Sequence, residues 1–163
     1  MIVLETPLID ASVITVDKYE DDRGFFMESF NEEKFLKEIG SYKFVQDNHS
    51  KSSKGVLRGL HYQLEKPQGK LMRCTQGAVY DVIVDLRKSS ETFGLWFDVT
   101  LDNPETIMWV PPGFAHGFYT LTDTAEFEYK CTDYYHPKSM KTLMWDDPDL
   151  SITWPTMSPP LLS

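Results

Sequence analysis

Lys70-Leu-Met-Arg-Cys-Thr-Gln-Gly-Ala-Val-Tyr-Asp-Val-Ile-Val-Asp-Leu86 holds two runs rich in strand-forming residues, Lys70 to Gln76 and Val79 to Leu86, parted by the turn signal Gln76-Gly77. The same pattern recurs on both sides of this stretch. Upstream lie Val13 to Val16, Phe25 to Phe30, Lys43 to Asn48 and Gly55 to Gln63. Downstream lie Leu95 to Leu101, Thr106 to Val110, Phe114 to Leu121 and Ala125 to Thr132. Turn formers separate them at Asp22-Arg23-Gly24, Asp102-Asn103-Pro104 and Pro111-Pro112-Gly113. Many strands at this spacing with almost no helix predict an all-β antiparallel sandwich or barrel. One helix is predicted, Glu32 to Ile39, with Asn31 as its cap, two glutamates in its first turn, an apolar face of Phe35, Leu36 and Ile39, and Gly40 as its stop. The tail from about residue 155, PTMSPPLLS, carries three prolines and reads as extended.

The 163 residues carry 16 Lys and Arg against 25 Asp and Glu, a net charge of −9, and their length fits one domain over 1–163. Hydrophobic residues at 41% and aromatic residues at 13% exclude a disordered chain. No apolar run approaches the ~18 residues needed to span a bilayer, and Met1 to Asp10 lacks the basic start of a signal peptide. The expectation is a cytoplasmic protein without a membrane partner. An acidic balance also argues against nucleic acid, which rewards a positive field. Cys74 and Cys131 stand apart without a CxxC pair and read as buried free thiols.

Side chains two apart share a face of a strand. Phe114, His116 and Phe118 therefore point together, as do Ala125, Phe127, Tyr129 and Cys131, which sets His116 and Tyr129 on apolar faces. For a tyrosine there, ring packing with a local hydroxyl bond is the bland role. Gln46 and Asn48 share a face opposite Val45 and Asp47, and two amides side by side on a buried face need partners, which a ligand is one way to supply. Between Gly55 and Gln63 strict alternation sends Arg58 and His61 to opposite faces, but Gly59 between them is a place where a bulge or twist would turn both inward. Arg58, His61 and Lys70 then form the basic lining of a cavity. No metal is expected, since His61 is followed by Tyr62 and Gln63 rather than by a second ligand, and His49, His116 and His136 are isolated. Nucleophile-elbow and phosphate-loop patterns are absent from the sequence.

Several stretches, in order, resemble the dTDP-4-dehydrorhamnose 3,5-epimerases of the cupin superfamily. They are Asp22-Arg-Gly-Phe-Phe-Met-Glu28, Phe44-Val-Gln-Asp-Asn-His-Ser50, Val56-Leu-Arg-Gly-Leu-His-Tyr-Gln63, Gln68-Gly-Lys-Leu71, Asp81-Val-Ile-Val-Asp-Leu-Arg87, Pro112-Gly-Phe-Ala-His-Gly-Phe118, Ala125-Glu-Phe-Glu-Tyr-Lys130 and Trp145-Asp-Asp-Pro148. The resemblance implies a cupin-type jelly-roll β-barrel, a homodimer, and catalysis without metal or cofactor. It implies an isomerase that inverts C3 and C5 of dTDP-4-dehydro-6-deoxy-D-glucose to give dTDP-4-dehydro-L-rhamnose. By the same resemblance the base falls on His61 and the proton donor on Tyr129, while Arg23, Glu28, Gln46, Asp47, Asn48, Arg58, Lys70 and His116 match substrate-contacting positions. The residue types suit the chemistry. Protons beside the C4 ketone are acidic only through the enolate, so a base of near-neutral pKa and a cation at the enolate oxygen are needed. His61 and Lys70 meet those needs. Arg23 and Arg58 suit the diphosphate, and Phe26 and Tyr135 are assigned to stack on thymine.

Two departures bear on these expectations. Met140 stands where family members commonly carry a Glu, which removes a polar contact to the nucleotide. The family pattern also runs on beyond Leu162-Ser163 into a Lys-Asp pair whose Asp orients the catalytic histidine. The expectation is reduced activity in a chain ending there, with Asp81 as a substitute orienting group for His61. Two alternative functions stand beside the main one. A mono-epimerase would invert C3 or C5 alone. A non-catalytic sugar-nucleotide-binding cupin is disfavoured by His61 and Tyr129, because binding alone demands neither a base nor an acid.

Overall fold

The computed structural model describes residues 1–156 and 159–163; positions 157 and 158, within the expected extended tail, lie outside the described residues. In chain order the elements are β1 (Ile2–Glu5), β2 (Ser12–Thr15), β3 (Lys18–Asp21), β4 (Gly24–Met27), α1 (Glu32–Glu38), β5 (Gln46–Ser53), β6 (Val56–Gln63), β7 (Lys70–Gln76), β8 (Val79–Asp85), β9 (Trp96–Leu101), β10 (Thr106–Val110), β11 (Phe114–Thr120) and β12 (Thr124–Cys131). A 3-10 turn at Pro137–Ser139 then leads to β13 (Met140–Thr142), and β14 (Leu161–Leu162) closes the series.

From β5 to β8 the chain alternates between two sheets, which is the winding of a jelly roll. One sheet has the order β1-β2-β10-β7-β12-β5 and the other β13-β6-β11-β8-β9, with β14 alongside β6. The order leaves β5 as an edge of the first sheet, and β6, which follows it after a tight turn, lies near the edge of the second. Between the sheets sits a core of Met72, Cys74, Val79, Ile83, Leu101, Met108, Val110, Phe114, Phe118 and Phe127. Each fully buried side chain of this kind stabilises by about 1.5–3 kcal/mol.

The outer faces are apolar as well, because other segments cover them. Leu57, Leu60, Val82, Val84 and Ala115 face away from the barrel interior, under Trp154 and its neighbours Trp145, Leu150 and Ile152. Outside the first sheet, Ile14, Leu71, Ile107 and Trp109 are covered by Phe35 of α1 with Phe30, Tyr42 and Phe44. The helix forms where its signals stand. Asn31 accepts from the Lys34 amide at 3.0 Å, and after the C-cap Ile39 the chain turns at Gly40 with φ +137°.

Three differences from the sequence reading have physical causes. The strand expected over Lys43 to Asn48 runs instead over Gln46–Ser53, because its inward side chains meet polar groups and so carry no hydrophobic alternation. The polar run Lys18–Asp21 becomes a strand because it pairs with β4, Tyr19 opposite Phe26. Ile2 and Leu4 of β1 are 62% and 56% exposed, so this edge strand is held by its ladder to β2 rather than by burial.

Candidate active site

A bulge places the basic groups. Along β11 the pairing advances two residues, from His116 opposite His61 to Phe118 opposite Arg58, while β6 advances three. The extra residue in β6 puts Arg58 and His61 on the interior side, with Leu57, Leu60 and Tyr62 all in the outer cluster. Gly59 has φ +125°, a conformation natural only to glycine. A Cβ there would collide with the Gly117 Cα and lie 2.8 Å from the His116 carbonyl oxygen. The expected inward turn of both side chains is what the structure shows.

The polar end of the interior is assembled from both sheets. Arg58 donates from Nε to Ser52 Oγ at 2.8 Å and from Nη2 to the Lys51 carbonyl at 3.4 Å, so its guanidinium bridges β6 to β5. Gln46 Nε2 donates to Asn48 Oδ1 at 3.1 Å, and Asn48 Nδ2 to Cys131 Sγ at 3.5 Å. Lys70 stands opposite Cys131 in the ladder, its Nζ 5.9 Å from the Tyr129 ring centroid. His116 Nε2 lies 2.7 Å from Asp81 Oδ2, both residues buried, and its ring stacks on Phe127.

Burial and neighbouring charge set the protonation states. Burial pushes His61 below its ordinary 6.5, and the positive charges of Lys70, His116 and Arg58 push it the same way. Burial also lowers Lys70, against the opposing pull of Cys131 and Asp81. Burial raises Tyr129, with Cys131 adding to the effect and Arg58 opposing it. At neutral pH His61 is therefore free to accept a proton and Tyr129 retains one to donate. If His61 is the base, kcat/KM is expected to rise with pH, reach half its plateau below 6.5, and stay level through neutrality. The same depression means the unfolded chain binds the proton more tightly, so stability is lost as pH falls from 6.5 through the lower folded-state value. A half-point above 6.5 in a pH-rate profile would overturn this assignment.

Not every candidate is inside. Arg23 lies on the β3–β4 hairpin, bound to Asp21 with Nη2 to Oδ2 at 2.6 Å, and Phe26 is 72% exposed there. Glu28 pairs with Lys34 at 2.8 Å. Asp47 sits on the outer face against Lys130 at 3.0 Å, as its parity opposite Gln46 and Asn48 requires. Tyr135 follows β12 and donates its backbone N–H to Gln46. Asp81 corrects an expectation: its carboxylate is engaged by His116, not by His61. Ser52 and Gln63 were not singled out from sequence. Ser52 shares the parity of Asn48, and Gln63 that of His61, so parity carried a signal for both.

Comparison with known proteins identifies the family. The family model for dTDP-4-dehydrorhamnose 3,5-epimerase matches residues 5–163. The chain is 51% identical over 164 residues to the dTDP-4-dehydrorhamnose 3,5-epimerase of Neisseria gonorrhoeae, covering 100% of this chain and 50% of that one, so it spans about half the length of that relative. To the Escherichia coli K12 enzyme of the same name it is 51% identical over 167 residues, covering 100% of this chain and 90% of the relative. Among solved structures, the Legionella pneumophila dTDP-6-deoxy-D-glucose-3,5-epimerase in complex with dTDP-4-keto-L-rhamnose superposes with a TM-score of 0.96 at 47% identity, covering 99% and 87% of the two chains. A 3'-monoepimerase from Streptomyces bikiniensis in complex with dTDP-quinovose gives 0.90 at 35%, covering 97% and 81%. Sequence and architecture thus place this cupin-type jelly roll in the dTDP-4-dehydrorhamnose 3,5-epimerase family, isomerases of a sugar nucleotide.

Proposed function

We propose that this chain inverts C3 and C5 of dTDP-4-dehydro-6-deoxy-D-glucose, giving dTDP-4-dehydro-L-rhamnose. One observation carries the reading: a base and an acid project into the interior from opposite sheets, His61 from β6 and Tyr129 from β12. A sugar ring held between the sheets meets the imidazole on one side and the phenol on the other. His61 removes the proton beside the C4 ketone, the Lys70 ammonium faces the enolate oxygen, and Tyr129 returns a proton from the opposite side. Arg58, already oriented by Ser52, offers its remaining N–H groups to the diphosphate. His116 fixes one wall through Asp81, and Gln46 and Asn48 supply amide donors.

The same reading makes the molecule a homodimer. Arg23, Phe26 and Glu28 sit on or beside the hairpin rather than with His61, and Tyr19, Phe25 and Phe26 are 66%, 56% and 72% exposed on it. The hairpin then serves the partner's site, with Phe26 and Tyr135 as the surfaces for thymine. Residues 1–163 form one domain in this proposal, supported by outer faces that are each covered by segments of the same chain. Two free, buried cysteines support a cytoplasmic setting. No helix of the described residues is long and apolar enough to cross a membrane.

Incubation with dTDP-4-dehydro-6-deoxyglucose in D₂O, followed by NMR, tests the activity, and sedimentation of the same sample tests the dimer. Deuterium at C3 and C5 with the L-lyxo product is the expected result. Label at one carbon alone would select a mono-epimerase, and no label from folded protein that binds dTDP would select a binding module.

A further inference from the structure

The loop after β12 carries Tyr134 and Tyr135 with 59% and 53% of their surfaces exposed, yet its backbone is gripped by three glutamine side chains. Gln68 Nε2 donates to the Asp133 carbonyl at 2.8 Å. Gln63 donates to the Tyr134 carbonyl at 3.2 Å and accepts from the His136 N–H at 2.8 Å. Gln46 Oε1 accepts from the Tyr135 N–H at 2.9 Å.

The Gln46 contact, unlike those of Gln63 and Gln68, is passed on to a second interior amide. An amide side chain can ordinarily exchange its oxygen and nitrogen, and its neighbours decide which orientation holds. A backbone N–H only donates, so Gln46 must turn Oε1 toward Tyr135 and Nε2 toward Asn48. Asn48 Oδ1 must then accept, which leaves Nδ2 on the side of Cys131, the residue opposite Lys70. One main-chain group in an exposed loop thereby sets the polarity of two interior amides. Each of those amides uses one N–H in the chain of bonds and has a second for a ligand.

Building on the epimerase reading of this site, we propose that Gln46 is a positioning residue that couples the tyrosine-bearing loop to the interior wall and holds Asn48 as a donor toward substrate oxygens. Gln46→Glu keeps the acceptor for Tyr135 but has no proton for Asn48. The Asn48 amide turns over to donate to the new carboxylate, and its oxygen faces the interior in place of its nitrogen.

The expected result is a KM for the dTDP-sugar raised on the order of tenfold, with kcat changed far less. In an Asn48→Ala background, where only the loss of Gln46's own second N–H remains, the same Gln46→Glu change is expected to raise KM by clearly less than in the wild-type background. A full tenfold rise in that background, or an unchanged KM in the single variant, overturns the proposal. The side-chain amide resonances of Asn48 report the turn without substrate and are expected to shift in Gln46→Glu at an unchanged Tm. Unshifted resonances overturn the proposal whatever the protein turns over. Shifted resonances in a protein whose wild type labels no sugar carbon fault the functional reading instead.

Discussion

Replacing His61 with Ala is expected to stop deuterium entering both C3 and C5, lowering turnover by about 10³-fold, within the ~10²–10⁴ range for loss of a positioned general base. His116 does not substitute, because its Nε2 is committed to Asp81 at 2.7 Å. Lys70, in its proposed role of holding the enolate oxygen as an ammonium, has no lone pair to serve as a base at the same time. Tyr129→Phe is expected to behave differently. Proton removal by His61 continues, so deuterium from solvent still enters, but it returns on the face it left and the configuration is retained. The two variants together separate removal from delivery, with label incorporation and product configuration read from one NMR sample. A His61→Ala protein that keeps more than about a tenth of wild-type exchange, or a Tyr129→Phe protein that still inverts both carbons, sinks the assignment.

Gly59→Ala is expected to lower stability by about 4 kcal/mol, the combined effect of a side chain forced into a glycine-only backbone conformation and of overpacking, each about 1–3 kcal/mol. The added methyl has no soft neighbour, since it meets the Gly117 Cα and the His116 carbonyl rather than the end of a flexible side chain. For a domain of this size that corresponds to a fall in Tm of roughly 10 °C. Activity is expected to fall further than stability explains, because any relief of the collision shifts the bulge that aims Arg58 and His61. Gly24→Ala provides the control. Gly24 has a nearly identical φ of +129° but nothing within 4 Å of a Cβ, so it incurs the backbone strain alone. Equal melting points for the two variants would show that the contact with β11 is not what holds the bulge.

The apolar strands, their parity and the chemistry of His61, Lys70 and Tyr129 follow from local sequence, since a two-residue repeat and a side chain's intrinsic pKa are properties of the chain itself. Lys70–Gln76 and Thr106–Val110 have the bounds their residues imply, and the polar break at Gly59 marks the bulge before any partner strand is known. Polar β5 escapes such a reading because its inward residues face the site rather than a core, so the hydrophobic signal is missing where function is densest. Tertiary structure alone decided the side-chain pairings between segments: Arg58 with Ser52 across the two sheets, His116 with Asp81 on neighbouring strands of one sheet, and Gln46 between Tyr135 of the following loop and Asn48 of its own strand. It also decided that Arg23 and Phe26 stand on a hairpin apart from His61. Spacing along a strand says which way a side chain points, but which groups it meets depends on strand order and register, and those are set by how two sheets bury a shared core.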